Sequence, residues 1–269
     1  DTAGIEVDRL DPRLEPGDSL AEPADTLEER RVIADFPRGA EPRWSNGVWE
    51  WDRDLIQRSA AVTLTDLLES VPGITPVRSG FYGSAESLSA FGSTAGRIEV
   101  ILDGFALDPL DAGSYDLSRL ELAQLNHVRV RRRGDGVRIE VETLAPFDRR
   151  PYSVVEAATG DLRTNVFRGI FMAPKFLVGP LALGVERMDT RGLFGREPAS
   201  TFHGWLKWGI VGERSGLELE YRSGTIERTD LDGGTIDGTR KDWIVRARGT
   251  PADGLTTEAF FGVSSIEDG

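Results

Sequence analysis
Apolar residues in this chain follow two periods, and the change falls near residue 150. In the first part, Leu64, Leu67, Leu68 and Val71 recur at i, i+3, i+4 and i+7, which predicts one apolar helix face. Thr63 with Asp66 supplies an N-cap and its partner, and Pro72-Gly73 stops the run. Ile74 to Val77 reads as a short extended piece, Leu88 to Phe91 as a brief strand, and Ile98 to Leu102 as an apolar strand ending in the turn pair Asp103-Gly104. Val48-Trp49-Glu50-Trp51 reads as a short edge strand. Ser118 and Glu121 read as a capping box for a helical turn over Leu120 to Leu125. His127 to Arg131 then alternates as a strand, and Gly134-Asp135-Gly136 turns it tightly into a second strand ending at Val141.

From Tyr152 onward, segments of about ten residues alternate apolar with polar and are separated by turn signals, the pattern of a transmembrane β-barrel. Phe202, Leu206, Trp208 and Ile210 share one face, while His203, Trp205 and Lys207 share the other. Leu217, Leu219 and Tyr221 alternate with Glu218, Glu220 and Arg222; Trp243, Val245 and Ala247 alternate with Asp242, Arg246 and Arg248, with Ile244 as an exception. One face suits lipid and the other water. Segments fall near 152–158, 163–172, 176–188, 200–211, 215–227 and 240–249, with a seventh near 255–266. Closed single-chain barrels need about eight strands or more, so these would form the opening part of a longer wall with an unpaired edge.

Composition narrows the classes. A net charge of −13 argues against nucleic acid, whose phosphates would be repelled. With no cysteine there is neither a disulfide framework nor a thiolate metal site. No run reaches the roughly 18 to 20 apolar residues of a membrane helix, so any spanning falls to strands. Residues 1–43 are acidic and proline-rich without a sustained period, which predicts an extended or poorly ordered arm. The opening DTAGIEVDRL reads as a mature or truncated start, and the end just after a strand pattern as a C-terminal truncation.

The helix ending in Val71-Pro72-Gly73-Ile74, the strand closing on Leu102-Asp103-Gly104-Phe105, and the later turn and strand pair resemble the plug domain of TonB-dependent outer-membrane receptors over roughly residues 50 to 145. The resemblance implies an α+β plug domain followed by antiparallel transmembrane β-barrel strands forming a partial barrel. The divisions would be an arm facing the periplasm over 1–43, a plug over 44–146 and barrel strands over 150–269. It implies a receptor rather than an enzyme, one that takes up a small-molecule or metal-chelate ligand of the siderophore, cobalamin or glycan class. Outer-membrane lipid and a TonB-type energy-coupling protein would be its partners, with Arg31-Val32-Ile33-Ala34 as the available aliphatic coupling segment. By position, Phe81, Tyr82, Asp108, Asp111 and Tyr115 on the plug's outer loops would meet the ligand. Three departures stand out: Ser89-Ala90-Phe91-Gly92 replaces an arginine-glycine pair, Arg129 stands where relatives usually carry an acid, and Gly134-Asp135-Gly136 replaces a longer loop. The missing arginine, the shortened hairpin and the poor match of the coupling segment favour a second reading, a plugged barrel acting as a passive pore or structural surface protein. A third is a soluble α+β binding protein whose strands form a sandwich.

Other chemistry is sparse. His127 and His203 lie far apart in strand patterns, without metal spacing or a nucleophile signature, so neither a catalytic site nor a metal site is expected. Asp230, Asp232 and Asp237 fail the calcium-loop spacing and read as an exposed hairpin loop. Glu218 and Glu220 read as charges of a wet lumen rather than as a glycosidase pair. No phosphate loop or dinucleotide fingerprint calls for a cofactor. The arginines from Arg129 to Arg133 read as partners of carboxylates such as Glu140 and Glu142, with anion binding as the alternative. Trp49 and Trp51 read as packing against the core, with ligand stacking as the alternative.

Overall fold
The computed structural model describes residues 42–92, 98–110, 113–134, 136–145, 150–192, 198–229, 234–252 and 254–268. The segment Arg31 to Ala34, Asp111, Asp230 and Asp232 lie outside the described residues.

The first layer is a mixed sheet with two short helices. Its strands are β1 (Arg43–Ser45), β2 (Val48–Asp52), β5 (Ile98–Leu102), β6 (Phe105–Ala106), β7 (Leu125–Arg132) and β8 (Val137–Thr143), in the order β1-β2-β7-β8-β5-β6. Only β5 and β8 run parallel. A separate hairpin joins β3 (Ile74–Arg78) to β4 (Glu86–Ala90), and helices α1 (Arg53–Arg58) and α2 (Leu64–Leu68) complete the unit.

Helix α2 begins as the sequence pattern predicts. Thr63 accepts from the Asp66 amide, and Asp66 accepts from the amides of Thr63 and Val62. Its apolar face, with Leu64, Leu67, Leu68 and Val71, joins Trp51, Leu88, Leu102, Val128, Val130 and Ile139 in one buried core. Gly73 then turns the chain at φ +89, where a Cβ would lie 2.7 Å from the Phe91 ring.

Two local readings change. Val48 to Trp51 is an inner strand, because Asn46 and Gly47, both at positive φ, form a two-residue hairpin turn that places β1 outside it. Ser118 and Glu121 form no capping box. Asp116 caps a 3-10 turn at Leu117–Arg119 and takes the Ser118 amide, a second 3-10 turn covers Leu122–Gln124, and Glu121 is buried instead of reaching back to that amide. Of the arginines from Arg129 to Arg133, Arg129 binds Glu50 (2.6 Å) and Glu140 (3.3 Å) and Arg133 binds Glu99, which Arg138 also reaches, whereas Arg132 lies over the Phe91 ring. Trp51 lies fully in the core and Trp49 stacks on Phe91.

The second layer is an antiparallel meander of seven strands: β9 (Tyr152–Thr159), β10 (Asn165–Phe176), β11 (Gly179–Thr190), β12 (Ala199–Val211), β13 (Ser215–Thr229), β14 (Thr235–Ala252) and β15 (Leu255–Asp268). The sheet is open, and among the described residues β9 and β15 each pair on one side only. Its outer face exposes Phe167, Phe171, Val185, Phe202, Leu217, Trp243, Phe261 and Val263. Its inner face turns toward the mixed sheet. The inner face is largely dry rather than wet: Glu220 is 2% exposed and Ile244 also 2%. Ile244 fits because it sits between Asp242 and Arg246 on a face that is covered.

Replacing Thr63 with Ala should lower the stability of this unit by about 1 kcal/mol through loss of the cap. Leu64→Ala should cost about 2–5 kcal/mol through the cavity left in the core. Urea titration of both variants, followed by hydrogen exchange of residues 60–70, checks the order.

Candidate functional site: the seam between plug and wall
The inner residues of β10 to β14 and the loops of the mixed sheet meet along one seam. Its apolar part is small: Leu144 packs with Ile170, Ala182 and Trp205, while Phe105 meets Phe260 edge-on at 5.2 Å above Gly262. Most of the seam is polar, and most of its described direct bonds run one way. Wall cations donate to plug oxygens: Arg168 to the Val62 carbonyl (2.7 Å), Lys207 to Asp103 (2.8 Å), Arg240 to the Asp108 carbonyl (3.0 Å) and Arg228 to the Ser79 hydroxyl (2.8 Å). Arg119 runs the other way, donating from the plug to the Gly224 carbonyl of β13 at 3.3 Å.

Asp103 is the best-built of these contacts. It and Gly104 form the two-residue turn between β5 and β6, both at positive φ, and the turn aims the carboxylate at the wall. The amide and hydroxyl of Thr143 donate to it at 2.8 and 2.6 Å, and Lys207 donates from β12. Beyond them Arg246 binds Glu218 (2.9 Å) and Glu220 (2.6 Å), so cations and carboxylates alternate across the seam. Burial pushes the Asp103 carboxyl up, but Lys207 and the Thr143 bonds outweigh it and hold the group below the usual carboxylate range.

A second cluster surrounds Tyr115. Its ring is buried under the Arg240 guanidinium at 4.9 Å, and Arg119, Glu121, His203, Arg222 and Asp242 line the same small enclosure. Burial pushes the Tyr115 hydroxyl up to about 12 despite Arg222 and Arg240 nearby.

The expected ligand residues divide. Phe81 and Tyr82 are half-buried, stacked edge-on at 4.7 Å, and line a hollow of about 740 Å³ with Val62 and the β9–β10 connection from Thr159 to Leu162. The Tyr82 hydroxyl donates to Asp66 at 3.3 Å; burial and that carboxylate push it up to about 12, so it remains a donor. Asp108 is exposed, whereas Tyr115 is buried. Sequence reasoning missed the pairing of Asp103 with Lys207 and the gathering of Arg222 and Arg240 around Tyr115. The alternation placed Lys207 and Arg222 on the polar face, but nothing in the sequence says which plug oxygen each one meets.

Asp103 gives the sharpest test of the seam. Asp103→Asn should weaken plug retention by about 3 kcal/mol, because it removes the partner of a buried ammonium. Its depressed carboxyl contributes stability above the ordinary aspartate range, and that contribution is lost as pH falls through its lowered value. The wild-type protein should therefore lose plug stability on strong acidification more steeply than the variant, in urea titrations at stepped pH.

With this geometry in hand, comparison with known proteins is direct. Residues 45–144 match the family described as TonB-dependent Receptor Plug Domain. No curated protein sequence matches the chain. Among solved structures, the chain superposes on the ferric preacinetobactin receptor BauA from Acinetobacter baumannii with a TM-score of 0.64 at 12% identity, covering 82% of this chain and 38% of that one. The copper transporter OprC gives 0.67 at 17% identity, with 85% and 39% covered. The siderophore receptor PirA from Pseudomonas aeruginosa gives 0.64 at 14%, with 84% and 41% covered. The chain thus spans about two fifths of the length of these proteins. Receptors of this family are outer-membrane transporters rather than enzymes. Residues 45–144 of this chain thus match a TonB-dependent receptor plug domain, and the chain as a whole shares the fold of the plug and opening barrel strands of those receptors.

Proposed function
We propose that the protein is an outer-membrane receptor that binds a scarce small-molecule or metal-chelate ligand, of the siderophore, cobalamin or glycan class, and admits it when the plug is displaced. One observation carries the reading: the plug loops at 79–84 and 108–110 sit at the end of the wall where the strand connections are long. Between strand ends those connections span 160–164, 191–198 and 230–234, whereas the opposite ones span only 177–178, 212–214 and 253–254. Long loops belong to the outer side of such barrels and short turns to the periplasmic side. Arg228 on Ser79 and Arg240 on Asp108 hold the two plug loops at that end. The ligand contacts in this reading are Phe81, Tyr82 and Asp108, while Tyr115 is buried under Arg240. The 1–43 arm faces the periplasm, where a TonB-type coupling protein pulls on the plug.

A passive plugged barrel is the second reading. It is favoured by β4, where Ser89 and Ala90 stand in place of the arginine-glycine pair of relatives.

Cells in which this is the sole receptor should accumulate one of three labelled probes: a ferric siderophore, cobalamin or an oligosaccharide. Phe81→Ala with Tyr82→Ala should weaken binding of that probe about tenfold, equivalent to about 1.4 kcal/mol. Deleting residues 1–43 should abolish accumulation and spare binding. Accumulation that survives the deletion would establish the passive reading, and no binding of any probe would remove the receptor reading.

A further inference from the structure
In the seam around Glu121 the acids outnumber the cations. Arg119 pairs with Asp116 (3.4 Å), Arg240 with Asp242 (3.0 Å), Lys207 with Asp103 (2.8 Å) and Arg246 with Glu218 (2.9 Å). That leaves Glu220, which Arg246 also reaches, as the nearest carboxylate to Arg222 at 4.0 Å. Five cations therefore face five carboxylates, and Glu121 is a sixth acid that, among the described residues, has no lysine or arginine within 4.0 Å, although Arg222 is the charge that acts on it most strongly. Farther along the wall, Arg168 is taken by Glu186 (2.6 Å) and Glu156 (3.3 Å), so that group adds negative charge on the Glu121 side rather than relieving it.

The immediate partners of Glu121 are neutral or can be. The Gln124 amide bonds one carboxyl oxygen, and His203 Nδ1 lies 3.2 Å from the other. That nitrogen accepts no hydrogen bond from any described group. A carboxylic acid placed there has a ready acceptor, whereas a carboxylate would face a ring nitrogen that brings no positive charge unless it too is protonated. Glu121 is on the plug and His203 on β12, so the contact crosses the seam.

We propose that Glu121 carries a proton at the seam, donated toward His203 Nδ1, and that drawing the plug away from the wall releases this proton to water. The displacement of the plug is then linked to the loss of one proton, independently of which ligand the receptor takes or whether it is pulled. Burial supports this: it pushes the Glu121 carboxyl up to about 8, with Arg222 opposing and Glu186 adding to the rise. The sign follows from linkage. A carboxyl raised in the seated state and ordinary in the released state binds more protons when seated, so seating weakens as pH rises between the two values and levels off above the higher one.

The test follows plug release in urea with a fluorophore on Glu69→Cys in the intact protein, which has no other cysteine. In the wild type the release equilibrium constant should rise, approaching tenfold per pH unit, between about pH 5 and pH 8. Glu121→Gln should remove that slope and leave seating at pH 6 nearly unchanged. The slope due to other plug acids, such as the buried Glu86, is common to both proteins and cancels in the difference. Infrared spectra give a second readout that needs no variant to fold: the seated wild type at pH 7 should show a protonated-carboxyl stretch that disappears when the plug is released. Equal pH slopes in wild type and Glu121→Gln would overturn the proposal, and so would the absence of that stretch at pH 7.

Discussion
Side-chain alternation along the wall strands is the constraint from which the rest follows. In a strand every second residue points the same way, so a strand that shows Phe202 and Ile210 to one solvent must show His203, Trp205 and Lys207 to the other. In an empty barrel those inner charges would sit in water. Here the plug displaces that water, and each inner charge must then be paired or neutral, since an uncompensated buried charge costs several kcal/mol. The charge pattern of β12 to β14 is thus half of a joint whose other half is the plug.

The joint is made mainly of ion pairs and bonds from cations to carbonyl oxygens, with small apolar contacts at Leu144 and Phe105. Such a joint holds by mutual compensation. When water enters, guanidinium, ammonium and carboxylate groups recover their hydration, so separation exposes little apolar surface. An apolar seam of equal extent would adhere by excluding water and would not part in this way. The seam is therefore held more by pairing of charges than by apolar adhesion.

The direction of these bonds is also informative. The plug strand that reads Ser89-Ala90 carries no arginine, and most cations of the seam stand on the opposite side. They stand on the wall, at Arg168, Lys207, Arg228 and Arg240, and the plug offers Asp103 and backbone carbonyls. Carbonyl acceptors depend on the path of the backbone rather than on side-chain identity.

The sequence by itself determined the elements whose causes are local. Thr63, Asp66 and the leucine spacing specify α2, Asp103-Gly104 specifies its turn, and period-two alternation marks seven wall strands within a few residues of where they occur. It misjudged places where a distant group competes. Glu121 has the spacing of a capping residue but is buried against the wall, Val48 to Trp51 gains an outer neighbour from a turn at Asn46-Gly47, and Ile244 looks misplaced until the lumen is known to be filled. Only the tertiary structure decided which charges meet across the seam. Residues about a hundred positions apart, such as Asp103 and Lys207, come together through the docking of two layers, and no spacing rule within either layer encodes that register.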